Sequence, residues 1–77
     1  MSNSSKRRQR FENVAGKRIQ SILDKIELLG NCSNKHNYEY SEIDVRKMFS
    51  AIREKLKHTE SKFSTELSKR SKTKFEF

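Results

Sequence analysis

Apolar residues recur at helical spacing through the first part of the chain. Between residues 9 and 30 they advance in steps of three or four, which keeps them on one face of an α-helix. This first stripe consists of Phe11, Ala15, Ile19, Ile22, Ile26 and Leu29. Gly30 follows the last of them, at the position where a left-handed residue commonly ends a helix. The pattern predicts a first helix over residues 9–30.

A second helix is predicted over residues 41–67, and capping signals mark its start. Ser41 and Asp44 have the spacing of a capping box, in which each side chain accepts a hydrogen bond from the backbone N–H of the other. Tyr40 before the cap and Val45 at the fourth helical position match a hydrophobic staple. The stripe of this helix consists of Val45, Phe49, Ile52, Leu56 and Phe63.

Residues 31–40, between the two helices, are rich in asparagine and show no helical period. The chain has no proline and only two glycines, which favours long helices over a many-stranded sheet. We therefore predict an all-α fold, an antiparallel two-helix hairpin. Residues 1–8 and 68–77 are expected to form flexible basic arms outside it.

The size of the chain limits what it can bury. Seventy-seven residues form one small domain at most, and a hydrophobic share of 31% is low for one. Cys32 is the only cysteine, so no intrachain disulfide is available. We expect dimerisation, or docking on a larger protein or nucleoprotein complex, to complete the hairpin. A lone cysteine, with no signal peptide or membrane span in view, predicts a cytoplasmic protein.

The loop and its surroundings have a recognisable sequence. The loop is Asn31-Cys32-Ser33-Asn34-Lys35-His36-Asn37-Tyr38-Glu39-Tyr40 and leads directly into the capped helix. Over roughly residues 10–63 the chain resembles small uncharacterised proteins of phages and mobile elements of Gram-positive bacteria, which share an Asn-rich loop ending in Asn-Tyr-Glu-Tyr before a capped helix. The resemblance implies a genomic setting that suits DNA handling, copy control or inhibition of host defence. It assigns no functional residues.

Positive charge is concentrated at the two ends of the chain. There are 18 Lys and Arg against 10 Asp and Glu, a net charge of +8, and the fifty residues 11–60 are almost neutral. Basic arms on a near-neutral body favour a polyanionic partner, with nucleic acid first. The basic residues at or beside the arms are Lys6, Arg7, Arg8, Arg10, Lys69, Arg70, Lys72 and Lys74.

Both predicted helices add a basic flank beside the apolar stripe. A helical projection places Arg10, Lys17, Arg18 and Lys25 on one flank of the first helix. Arg46, Arg53 and Lys57 share a flank of the second helix. Cations at helical spacing, with serines between them, suit phosphates along a nucleic-acid backbone. Solvent-exposed flanks without a ligand are the alternative interpretation.

Three aromatic residues are candidates for contact with a partner. Phe75 and Phe77 flank Glu76 beyond the C-terminal basic run, where they would stack on bases or fill a pocket of a partner protein. Tyr38 lies in the polar loop. Packing against the chain's own core or a symmetry mate is the alternative for Phe75 and Phe77, and packing over the open end of the hairpin is the alternative for Tyr38.

Enzymatic chemistry is not expected. Cys32 and His36 are four residues apart in a loop, with no third group to orient a base. Adding His58 gives three possible metal ligands and no Cys-x-x-Cys spacing, so neither a metal nor another cofactor is predicted.

The sequence thus predicts a small non-enzymatic protein that binds the phosphate backbone of DNA or RNA, with the choice between the two left open. The alternative is a protein-binding inhibitor or adaptor, for example an antagonist of a host nuclease or defence complex. Binding to a membrane surface is not expected, because the predicted arms lack an apolar face.

Overall fold

The computed structural model describes residues 5–72, with side chains through residue 69. It contains helix α1, Lys6–Gly30, a short 3-10 turn, Asn31–Ser33, and helix α2, Glu42–Lys72. The chain divides into two units, residues 1–39 and 40–77, with one of the two α-helices in each. The predicted all-α class and the two helices are confirmed.

Helix α1 begins at Lys6, three residues earlier than the apolar stripe predicts. Ser5 has extended backbone angles, and its Oγ accepts a hydrogen bond of 3.0 Å from the backbone N–H of Arg8. A serine in this position is a standard N-cap, because it satisfies an amide that has no partner inside the helix. The prediction of a flexible arm over residues 1–8 is therefore wrong for residues 6–8.

The C-terminal end of α1 also differs from the prediction. Gly30 has right-handed helical angles, φ −57° and ψ −31°, and none of the described residues has a positive φ. Instead of a left-handed cap, the chain tightens into the 3-10 turn, and the Asn31 N–H points to the carbonyls of Leu28 and Leu29. This turn satisfies the last carbonyls of the helix without the left-handed conformation.

A hydrogen-bonded turn follows within the Asn-rich loop. The Asn34 carbonyl accepts from the backbone N–H groups of Asn37 and Tyr38, at 3.1 and 3.0 Å. The Asn34 side-chain Oδ1 accepts from the His36 N–H at 2.9 Å. Asparagine favours such turns because its side chain replaces a backbone partner.

The start of α2 confirms the predicted capping box. The Ser41 N–H donates to Asp44 Oδ2 at 2.9 Å, and the Asp44 N–H donates to Ser41 Oγ at 3.2 Å. Tyr40 and Val45, the residues of the predicted staple, are both half-buried. Helix α2 continues to Lys72, so the prediction of a flexible tail is wrong for residues 68–72. Residues 73–77 lie outside the described part of the chain.

Removal of this cap provides a local test of the fold. Ser41→Ala is expected to lower the stability of α2 by about 1 kcal/mol, because the Asp44 amide loses its acceptor. Tyr40→Ala is expected to cost at least as much through the loss of its partial burial. Ser50→Ala, at an exposed position inside α2, is the control and should be neutral or slightly stabilising. Thermal unfolding followed by circular dichroism measures all three, and a midpoint unchanged by both cap variants would contradict the assignment.

The core of the predicted hairpin is not found. None of the residues with described side chains is buried, and large stripe residues of both helices are exposed. Ile19 and Leu56, near the middle of the two stripes, are 54% and 53% exposed. Hairpin packing would cover these side chains, so the predicted antiparallel hairpin, which we expect dimerisation or a partner to complete, is not confirmed.

The exposed apolar stripes indicate a partner or self-association. Monomeric proteins rarely leave a contiguous apolar patch of more than a few hundred Å² in contact with water. Here the exposed large apolar side chains extend along both α1 and α2. No helix within residues 5–72 is long and apolar enough to cross a membrane.

Candidate nucleic-acid interface

Six basic residues of α1 lie on one side of the helix, which we call the α1 basic face. Its members are Lys6, Arg7, Arg10, Lys17, Arg18 and Lys25. At 3.6 residues per turn their side chains fall within an arc of about 120°, and they extend over about 28 Å of the helix. All six are exposed. The face joins the predicted N-terminal arm and the predicted flank of the first helix into one surface.

The cations of this face are not neutralised by neighbouring carboxylates. The ion pairs Arg8–Glu12, Arg46–Glu42 and Lys69–Glu66 occur among the residues with described side chains, and these three do not involve the α1 basic face. Asp24 is the acid at the edge of the face, and its Oδ1 accepts a hydrogen bond of 3.0 Å from Gln20 Nε2. A phosphate that approaches the face therefore meets hydrated cations and does not have to break an ion pair.

Arg8 is separated from the other N-terminal bases by the helix. Its Nε donates to Glu12 Oε2 at 3.0 Å, and its guanidinium lies 5.6 Å from the centre of the Phe11 ring. Arg8 thus lies on the side of the apolar stripe, where an ion pair and a cation–π contact hold it. The sequence predicts one undivided basic run, whereas the structure places Lys6, Arg7 and Arg10 on the face and Arg8 away from it.

The first turn of α1 adds to the positive potential at this end. It contains no acidic residue. The N-terminal end of a helix carries a partial positive charge from its unpaired amides. Lys6 and Arg7 therefore lie where the helix dipole already attracts anions, which raises the local affinity for a phosphate group.

The predicted basic flank of α2 is partly neutralised by an ion pair. Arg46 donates to Glu42 at 3.4 Å, whereas Arg53 and Lys57 take part in none of the three ion pairs. Lys69 lies on the other side of the stripe, 3.2 Å from Glu66 Oε2. Helical spacing keeps Arg46, Arg53 and Lys57 on one flank of α2, opposite the flank of Lys69. Their charges are split between two flanks and partly neutralised.

The remaining predicted contacts lie at the end of the chain and in the loop. Arg70 and Lys72 belong to α2, but their side chains are not described. Lys74, Phe75 and Phe77 lie outside the described residues. Tyr38 is 52% exposed in the loop, so it is available to a partner.

The described residues offer no arrangement for metal binding. No group of three or more His, Cys, Asp and Glu side chains comes together within them. Cys32 is exposed in the 3-10 turn.

The sequence pattern does not reveal the separation of Arg8 from the basic run, because the predicted helix begins at residue 9 and leaves Arg8 outside it. The signal was Ser5, three residues before Arg8, which has the spacing of an N-cap. With the helix extended to Lys6, the helical projection alone groups Lys6 and Arg7 with Lys17 and Lys25. No protein-family model, curated protein or solved structure matches the chain.

Proposed function

We propose that this chain is a small non-enzymatic protein that binds the phosphate backbone of a nucleic acid through the α1 basic face. The observation that carries the proposal is the row of six exposed cations, free of ion pairs within the described residues, along about 28 Å of one helix. Duplex DNA carries one negative charge per ~1.7 Å of its axis. A row of this length therefore covers several phosphates.

Binding by such a face is driven by charge and by the release of counterions. Each Lys or Arg that neutralises a phosphate frees condensed cations into the solvent, which favours the complex at low salt. Ser21 lies among the cations of the face and supplies a short hydroxyl that donates to a phosphate oxygen. These contacts fix the position of the backbone and carry no information about base sequence, so DNA and RNA are both candidate ligands.

Helix α2 and the C-terminal residues are proposed as secondary contacts. Arg53 and Lys57 are exposed and outside the described ion pairs, so each would contact a phosphate if the nucleic acid reaches α2. Arg46 and Lys69 exchange a carboxylate partner for a phosphate, which makes their contribution smaller. Lys74, Phe75 and Phe77 remain predictions from the sequence alone.

A second candidate function is favoured by the exposed stripes. A protein-binding inhibitor or adaptor would present Ile19, Leu56 and neighbouring apolar side chains to a partner protein and bury them there. In that case the α1 basic face would contribute to solubility and to the rate of association. Loss of charge on the face would leave the protein partner bound.

The test compares two arginines that are adjacent in sequence and lie on different sides of the helix. Arg7→Gln is expected to weaken nucleic-acid binding by about 5- to 10-fold at about 0.1 M salt, because one phosphate contact is lost. Arg8→Gln makes the same change in net charge and should change the affinity by about twofold at most, since Arg8 already pairs with Glu12. Fluorescence anisotropy with a labelled duplex measures both.

Two results would overturn the proposal. Equal losses in the two variants would show that the N-terminal bases act as undirected charge and that no face exists. Absence of binding by the unmodified protein at ~50 mM salt, to duplex and to single strands, would exclude the function altogether. Circular dichroism of both variants confirms that α1 is retained.

A further inference from the structure

We propose that α1 pairs with α1 of a second copy of this chain, in an antiparallel arrangement that covers the first apolar stripe. Stripe residues Ala15, Ile19, Ile22, Ile26 and Leu29 follow steps of four, three, four and three, which is the spacing of a helix–helix seam. Helix α1 is 25 residues long, enough for three heptads. The inference stands on this stripe, and its consequence for nucleic acid rests on the proposed function.

The area of the stripe matches what a dimer needs. Five large side chains on and beside the seam are about half exposed: Phe11 49%, Ile19 54%, Ile22 46%, Leu23 54% and Ile26 45%. A half-exposed side chain of this size presents about 100 Å², so each copy offers about 500 Å² of apolar surface. Two copies together bury about 1,000 Å², the lower bound for a specific protein interface.

The charge of Arg8 favours an antiparallel pair of α1 helices over a parallel one. Arg8 lies on the stripe side of α1, so a parallel pair would bring Arg8 against Arg8 of the second copy inside the seam, where like charges are costly. In an antiparallel pair with Ile19 opposite Ile22 of the second copy, Arg8 is level with residue 33 and lies beyond the helix that ends at Gly30. The antiparallel pair therefore leaves the seam apolar.

The same geometry joins the two α1 basic faces. The two-fold axis of an antiparallel pair is perpendicular to the helices, so the same flank of each helix lies on the same side of the dimer. Arg18 of one copy then approaches Lys25 of the other at the solvent-exposed margin. Repulsion there is screened by salt and removed by a bound phosphate backbone. A parallel pair would instead place the two basic faces on opposite sides.

Cys32 can be spin-labelled to measure the arrangement of the two helices in the dimer. No substitution is needed, because Cys32 is exposed and is the only cysteine. In the antiparallel register, spin labels on the two Cys32 residues are about 35 Å apart, since each lies beyond the C-terminal end of its helix. Pulsed electron paramagnetic resonance measures this distance in the full chain without nucleic acid. Dilution with unlabelled protein must reduce the signal, as an intermolecular distance requires.

Two variants of α1 test whether the apolar stripe forms the dimer interface. Ile22→Gln is expected to abolish the ~35 Å distance and to give a monomer by light scattering. Leu28→Gln is the matched control: Leu28 is 60% exposed on the other side of α1, and its replacement should leave the dimer intact.

Three outcomes would overturn the inference. The first is a distance between the spin labels below ~20 Å, which a parallel pair gives. The second is a monomer at ~100 µM, and the third is a dimer that persists in the Ile22→Gln variant. A monomer in which the stripe is covered by α2 of the same chain, or by another protein, belongs to the second outcome. The Arg7 and Arg8 comparison tests nucleic-acid binding separately, so failure of the dimer and failure of the proposed function are distinguishable.

Discussion

Replacing Lys17, Arg18 and Lys25 with glutamine is expected to lower the affinity for duplex DNA by about 10²- to 10³-fold at about 0.1 M salt. The three cations are exposed members of the α1 basic face and lie outside the described ion pairs. Each phosphate contact contributes about 0.9 to the slope of log affinity against log salt, so three lost contacts reduce it by about 2.7. Titration of a labelled duplex at several salt concentrations gives both the affinity and the slope.

A matched variant separates the face from net charge. Lys47, Lys55 and Lys62 are exposed lysines of α2 that lie outside the α1 basic face and outside the described ion pairs. Their replacement by glutamine lowers the net charge by the same amount and is expected to weaken binding by about tenfold at most. Equal losses in the two triple variants would show that binding follows overall charge. Glutamine keeps helix propensity close to that of lysine, so α1 and α2 should remain folded.

The unmodified protein is expected to lose about 10³-fold in DNA affinity between ~50 and ~200 mM salt. Six phosphate contacts from the α1 basic face predict a slope of about −5.4 for duplex DNA and about −4.2 for a single strand, because a single strand binds fewer condensed counterions. Secondary contacts from α2 extend the range for duplex DNA to about −7.

The same titration decides between the two candidate functions. A slope between about −4 and −7 is the result expected of backbone binding by the face. A slope near zero with weak affinity would contradict it and would favour the protein-binding alternative. A monovalent salt with a weakly binding anion is the control, since anions that occupy the basic face would steepen the slope.

Much of the local structure is predictable from the residues alone. The capping box at Ser41 and Asp44 is present with both hydrogen bonds, because the spacing of the two residues fixes which amides they reach. The Arg8–Glu12 and Arg46–Glu42 pairs lie four residues apart, as neighbours on a helix surface do. The helix ends are less predictable. The stripe begins only at Phe11, whereas the helix begins at Lys6 because Ser5 caps it.

The sequence predicts part of the candidate site. Basic residues at helical spacing indicate one flank of α1, and the terminal run Lys6-Arg7-Arg8-Gln9-Arg10 indicates a second basic segment. Their union into one face follows only when both belong to the same helix, since the position of each side chain then depends on 3.6 residues per turn. The same periodicity places Arg8 outside the face, and its contacts with Glu12 and Phe11 hold it on the side of the apolar stripe.

By itself the sequence determined the helical class, the two stripes, the start of α2 and the excess of positive charge, because each depends on residues within a few positions of one another. The structure decided which of those charges are paired and whether the stripes are covered. Both depend on the positions of side chains relative to neighbours that periodicity does not specify. Periodicity shows which face of a helix is apolar, but not what packs against it. The stripes of α1 and α2 remain exposed because covering them requires surface from beyond each helix.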